Sequence, residues 1–351
     1  MNGRLILASF LLVFGFELRS APSLSYKESH ALVIAASNYT NGWPSLPNVV
    51  TETKEVQSAL ESNGFQVRLV ENPDESGLQK AMETFLRDRG SDPDNRLLVY
   101  FSGYGFTSNR RGYLVPVDAP ELAGDGEELR KKALSMAVVL SLCREIKARH
   151  VLFLFDSCFH DAIFPSIAIP TGDGRIGSLT GRPVRQFISA GTAGERLPEK
   201  SVFSRMFVRA LRGDADQTRD GSVTGTELGR FLRDRVTYYE TGQVPQYGKI
   251  RDPDLDEGDF VLILSDQANS MGSVRKSYMS IYELITLADS LNTEGQGRAA
   301  LEKYLAADRD LKTLRKAYPS WNANIVNFRL KYLSDRIAPL QVRFPRAVPN
   351  P

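Results

Sequence analysis

The chain has 351 residues, with 44 Lys and Arg against 42 Asp and Glu, and two cysteines. That length supports one large or two modest domains with a substantial core. The formal charge of +2 offers no basic surface for nucleic acid, and two cysteines cannot make a disulfide framework. Met1 to Ser23 places Arg4 before the apolar run Leu5 to Phe16, then Glu17, Arg19 and a small-residue stretch ending Ala21-Pro22-Ser23. This layout predicts a signal peptide over residues 1–23 and an exported protein, periplasmic or secreted. The run is too short to span a bilayer comfortably. The alternative is a short uncleaved anchor, the one route to a membrane.

From His30 strand-like and helix-like stretches alternate, which predicts an α/β fold with a mostly parallel sheet wrapped by helices. Ala31 to Ser37 reads as a strand. Thr51 to Asn63 reads as a helix with Val56, Ala59 and Leu60 on one face and Gly64 at its stop. Gln66 to Val70 is the next strand, and Asp74 caps a helix carrying Leu78, Ala81, Met82, Phe85 and Leu86 before Gly90. Arg96 to Ser102 (RLLVYFS) is an apolar run ending in Gly103-Tyr104-Gly105. A loop through Gly112 to Pro116 follows, then a helix whose stripe of Met136, Val139, Leu140 and Cys143 assigns Cys143 to core filling. Val151 to Phe159 (VLFLFDSCF) fits a strand covered on both faces. It stops abruptly at Asp156 and delivers Ser157 and Cys158 beyond its end. Two such parallel neighbours bring two polar turns to one rim, where the chemistry of open parallel sheets sits.

Pro165 to Pro183 is glycine-rich with little apolar periodicity, and reads as an exposed loop. Arg185 to Ala190 resumes as a strand, Val202 to Leu211 as a helix, and Phe260 to Leu264 as a last strand, six in all. Between them, Asp216 to Glu227 has the spacing of an EF-hand loop: oxygen side chains at the first, third, fifth and ninth places, Gly at the sixth, an apolar residue at the eighth and Glu at the twelfth. Asp216, Thr218, Asp220, Ser222 and Glu227 are therefore candidate Ca2+ ligands, and no other cofactor is required. The Thr218 hydroxyl brings less charge than Asp or Asn, and the alternative is an Asp-Gly turn joining two helices. After Leu264 the Ser-rich stretch 266–277 reads as a linker. Tyr278 to Asp289, Gly297 to Tyr318 and Trp321 to Ile337 read as three helices, an all-helical region over 278–338 that is weakly similar to tetratricopeptide hairpins. This tail either covers the main domain or presents a partner-binding surface.

YFSGYGFT and FLFDSCFHD resemble the two active-site segments of the caspase-like cysteine peptidases (peptidase C14-like), the group of caspases, metacaspases and bacterial orthocaspases. There the first segment reads SGHG and the second DSC or ACR. The resemblance spans roughly Ala31 to Leu264. It implies a three-layer caspase-like fold with a six-stranded sheet and helices on both faces, in a domain over 28–265. That domain would comprise a large-subunit-like part to about 164, a linker over 165–183 where processing often occurs, and a small-subunit-like part over 184–265. It implies peptide-bond hydrolysis with Cys158 as nucleophile and the backbone N–H groups of Gly105 and Cys158 as oxyanion hole. Asp156 falls on the acidic position that metacaspases use for a Lys or Arg side chain at P1.

The family's catalytic His falls on Tyr104. A phenol titrates near 10 and is a donor but a poor base, whereas imidazole, near 6.5, can take and return a proton. Of the three histidines, His30 and His150 precede their strands, at the rim opposite Cys158, and are expected to be surface or capping groups. His160 is the alternative base, with Asp161 where the family has Gly, although residues two apart on a helical turn point away from one another. Two readings follow. One is an exported caspase-fold pseudo-peptidase that binds a peptide or protein partner. The other is an active cysteine-type endopeptidase with a reduced rate or an unusual base.

Overall fold

The computed structural model describes residues 26–122, 126–161, 164, 181–195 and 198–345, with 266–273 described through their backbone. The expected signal peptide over 1–23 and most of the expected linker over 165–183 lie outside these residues. The elements in chain order are β1 (Ser29–Ala35), α1 (Val49–Ser62), β2 (Gln66–Glu71), α2 (Glu75–Arg89), β3 (Arg96–Ser102), β4 (Gly105–Ser108), β5 (Arg111–Leu114), α3 (Glu127–Lys132), β6 (Leu134–Ser135), α4 (Met136–Glu145) and β7 (His150–Cys158). There follow β8 (Val184–Gly191), α5 (Val202–Arg209), β9 (Ser222–Thr224), α6 (Gly225–Tyr239), β10 (Gln246–Lys249), β11 (Val261–Ile263), α7 (Asp266–Thr293), α8 (Gly297–Ala317) and α9 (Ala323–Arg343).

Six strands form the main sheet in the order β10-β8-β7-β3-β1-β2. All neighbours in it run parallel except the edge strand β10, which is antiparallel to β8. β3, β7 and β8 are buried along their whole length, because helices cover both faces. Leu97, Val99, Phe101, Phe153 and Phe155 share one core with α2 and α4. Leu98, Tyr100, Leu152 and Leu154 share another with α1, α5 and α6. Near-continuous apolar runs are what strands between two helical layers require.

The sixth strand of this sheet is Gln246–Lys249 rather than Phe260 to Leu264. An edge strand is half covered, so QYGK carries neither an apolar run nor β-branched residues. β11, within the stretch expected as the last strand, pairs instead with β9 in a separate two-stranded sheet. The stretch around Gly112 to Pro116, expected as a loop, contributes β5 to a three-stranded sheet, β4-β5-β6. Its strands have four, four and two residues, too few to leave a period-two signal. Asn109 and Arg110, both left-handed with φ 49° and 60°, make the two-residue hairpin turn between β4 and β5.

Residues 266–277, expected as a linker, form the first part of α7, a helix of 28 residues. Ser, Asn and Gly are weak helix formers, and docking onto the main domain offsets this. Arg275 pairs with Asp214 at 2.9 Å, Arg209 holds the same carboxylate at 2.7 Å, and Lys276 donates to the backbone oxygen of Asp216. α7, α8 and α9 enclose a core of their own that includes Ile285, Tyr304, Leu311, Leu333 and Ile337. Asp289 pins it, accepting from the hydroxyls of Tyr304 at 2.6 Å and Tyr332 at 2.7 Å. Among the described residues no helix is long and apolar enough to cross a membrane.

Candidate active site

β3 and β7 are parallel neighbours with Ser102 opposite Asp156, so Gly103-Tyr104-Gly105 and Ser157-Cys158 arrive at the same C-terminal rim. At Gly103 a Cβ would stand 2.7 Å from the Tyr39 hydroxyl and 2.8 Å from the Ala36 Cβ, which leaves room for glycine alone. The Tyr104 ring lies 4.7 Å from that of Trp43 and 4.9 Å from that of Tyr39. Its backbone N–H donates to the Tyr39 hydroxyl at 2.8 Å. Trp43 is anchored through Nε1–H to the Pro120 carbonyl at 2.9 Å. Burial pushes the Tyr104 phenol up, further from the range where a base works at neutral pH.

β7 pairs with β8 in register from His150 to Phe155 and then shifts, so that Cys158 lies opposite Gly191. The irregularity gives three consecutive polar side chains three different surroundings. The Asp156 carboxylate is buried and accepts from Tyr100 Oη at 3.0 Å, Ser102 Oγ at 3.3 Å and the Ser201 hydroxyl. Burial pushes its carboxyl up to about 6, against the pull of those hydroxyls. Ser157 Oγ lies against Gly105, where a Cβ would stand 2.5 Å away, and it has no hydrogen-bond partner. Cys158 Sγ lies over Gly191, 3.0 Å from where a Cβ would be.

The sulfur is 7% exposed as a residue. It accepts from Gln243 Nε2 at 3.6 Å, and Gln243 itself is 1% exposed with an unpartnered Oε1. Glu195 shares the space over Gly191: its Oε2 would be 2.1 Å from the same Cβ. That carboxylate accepts from Thr192 N at 2.9 Å, Thr192 Oγ1 at 3.0 Å and Val244 N at 3.3 Å. Burial pushes the Cys158 thiol up to about 12; the Gln243 N–H opposes the shift, and the Asp156 and Glu195 carboxylates add to it.

The family model described as the caspase domain of peptidase C14 matches residues 28–326, which takes in both rim turns. The chain belongs to the caspase domain family. Among solved structures it is similar to caspase-1 from Spodoptera frugiperda, with 15% sequence identity and a TM-score of 0.47 over 68% of this chain and 96% of that one. A search of the curated proteins found no match.

In this caspase domain no imidazole is hydrogen-bonded to the Cys158 sulfur among the described residues. His30 and His150 do lie at the opposite rim, although as the second residue of β1 and the first of β7 rather than before the strands. They are not surface groups, however, being 2% and 1% exposed. His30 Nε2 pairs with Glu28 at 2.8 Å. His150 sits between the Tyr26 hydroxyl at 2.5 Å and the Arg182 carbonyl at 3.1 Å, and burial drives its imidazole down to about 4. The segment after Cys158 is tied to the β4–β5 hairpin. The His160 N–H donates to Thr107 Oγ1 at 2.8 Å, and Asp161 Oδ2 accepts from Gly112 N at 2.7 Å. Gln243, Glu195 and Ser201 were not foreseen from the sequence. They stand in turns or caps far along the chain from Cys158, where single polar residues carry no periodic or motif signal.

The EF-hand-like residues of the caspase domain hold their own loop together. Asp216 accepts from Arg219 N at 2.6 Å and Gly221 N at 3.2 Å, and Asp220 from Ser222 N at 3.0 Å. Glu227 accepts from Thr224 N at 2.9 Å and Thr218 N at 3.3 Å, and forms a capping box with Thr224 at the start of α6. Ser222 opens β9. Among the described residues no group of three His, Cys, Asp or Glu is placed to hold a metal ion. Removing the box by Glu227→Ala is expected to cost about 1 kcal/mol of stability, read as a lowered melting temperature. A rise in melting temperature with millimolar calcium that Glu227→Gln abolishes would assign the loop to the ion instead.

Proposed function

We propose that this caspase-domain protein is exported, has impaired peptidase chemistry, and acts by binding a peptide or protein partner at the rim that holds Cys158. The observation that carries this reading is the sulfur's surroundings. Its hydrogen-bonding neighbour is an amide, which cannot take a proton, and two carboxylates stand where a cation would favour the thiolate. The thiolate is the nucleophile in such chemistry. Burial and the two carboxylates hold the thiol well above its ordinary range, so little thiolate is present at neutral pH. On the same reading Asp156 would meet a Lys or Arg side chain of the bound chain, and the hydroxyls of Tyr100, Ser102 and Ser201 would give way to it.

Alkylation separates this reading from the slow or unusual-base endopeptidase. An iodoacetamide-type probe is expected to modify Cys158 no faster than an ordinary thiol at pH 7. Because burial has moved the thiol above its ordinary value of about 8.5, the rate should keep climbing about tenfold per pH unit through pH 10. A rate that levels off at or below pH 8 would mean an activated thiolate and would favour the endopeptidase. Peptide mapping distinguishes Cys158 from the fully buried Cys143.

A further inference from the structure

We infer that Gln243 is a positioning residue for Cys158: its side-chain amide holds the sulfur through an Nε2–H···Sγ hydrogen bond and sets how readily the thiolate forms. The amide reaches the sulfur from a short connection between α6 and β10 that is fastened on both sides. Gln243 N donates to the Glu240 carbonyl at 3.0 Å, and the Gln243 carbonyl accepts from Thr237 Oγ1 at 3.4 Å. The next residue donates from Val244 N to Glu195 Oε2 at 3.3 Å, and its carbonyl accepts from Gln246 Nε2 at 2.8 Å. Glu195 is in turn the carboxylate over Gly191 beside the sulfur. The backbone that carries Gln243 and the wall of the Cys158 site are therefore one hydrogen-bonded assembly.

Inside it, Gln243 is buried with Oε1 unpaired. A buried amide half without a partner lowers stability, and an apolar side chain of the same length would avoid that cost. A buried amide kept with one half unpaired calls for a reason other than packing, and here its other half donates to the sulfur. Among the described residues, the charged groups that bear on the sulfur are Asp156 and Glu195, both negative, and the contact that favours the thiolate is the Gln243 N–H. A hydrogen bond to an ionised partner is stronger than one to a neutral partner, so this contact strengthens as the thiol loses its proton. The inference concerns the sulfur itself and holds whether or not the protein cleaves peptides.

The test compares labelling of Cys158 by iodoacetamide across pH in the parent and in Gln243→Met, Gln243→Glu and Gln243→Asn, each checked by thermal melting. Met keeps the length and removes the donor; Glu keeps the shape and replaces the amide by a carboxylate; Asn shortens the reach and opens space. Losing the donor is expected to slow labelling at each pH by roughly tenfold in Met, the size of a charge-assisted hydrogen bond, and by more in Glu. In Asn, access alone would speed the reaction, so slowing there identifies the lost contact. Labelling as fast as or faster than the parent in folded Met and Asn variants would overturn the inference. The parent's own rate bears on the proposed function, whereas the ratio of variant to parent bears on Gln243 alone.

Discussion

Tyr104→His is expected to raise Cys158-dependent cleavage of Arg- and Lys-containing peptides by about 10²- to 10⁴-fold over the parent, the usual worth of a positioned acid–base group. β3 and β7 end side by side, so an imidazole at 104 would be delivered to the rim that carries the sulfur. As imidazolium it would also counter the Asp156 and Glu195 carboxylates, and so lower the thiol. The variant should nick itself at Arg175 or Arg182, and Cys158→Ala in the same chain should abolish both cleavages. A fluorogenic peptide and a gel read the two events. The substitution loses ring contacts with Trp43 and Tyr39, a loss of about 1 kcal/mol that melting would register. Vigorous cleavage by the parent would mean that another group serves as base. A folded but silent variant would mean that Gln243 and Glu195 have rebuilt the surroundings of the sulfur beyond rescue at one position.

Arg185→Ala is expected to be the most damaging single change to stability, at about 3–5 kcal/mol out of a total that for such domains is about 5–15 kcal/mol. Arg185 is 1% exposed. Its guanidinium donates to the carbonyls of Cys143, Ile146 and Arg149 at 3.0 Å each and to that of Val184 at 3.1 Å. It thus fastens the end of α4 and the connection after it to the first residues of β8. Truncation strands these acceptors in a dry place, and each then loses its partner without regaining water. Arg185→Lys should rescue little, because one ammonium cannot span a fork of carbonyls. The urea midpoint measures the loss; a midpoint within experimental error of the parent would show that water replaces the guanidinium.

The parts of the fold that could be read from the sequence are those where one residue pattern answers to one environment. β3 and β7 are legible because a strand buried on both faces admits little but apolar residues. α2 is legible because Asp74 accepts from Gly77 N at 2.7 Å as its cap and one face carries the core. The apolar run ends at Asp156 as read, but β7 itself continues through Ser157 and Cys158, because pairing with β8 resumes at Gly191 after the irregularity. β10 escaped notice because an edge strand of QYGK satisfies its environment without a pattern. The helical start of α7 escaped because tertiary docking of Arg275 and Lys276 overrides weak local propensity. The burial of His30 and His150 followed from partners, Glu28 and Tyr26, whose proximity no spacing rule reveals. Gln243 and Glu195 are of the same kind: turns bring them to Cys158, and turn sequences do not state what they approach.

α7 has a mechanical consequence. A helix of 28 residues is about 42 Å long and resists bending, so it behaves as a strut. About a third of the way along, Arg275 and Lys276 grip Asp214 and the backbone of Asp216; further along, its Asp289 is clamped by tyrosines from α8 and α9. α6 leads directly into the connection that carries Gln243, so the turn on which the tail docks and the amide that reaches the Cys158 sulfur stand at the two ends of one helix.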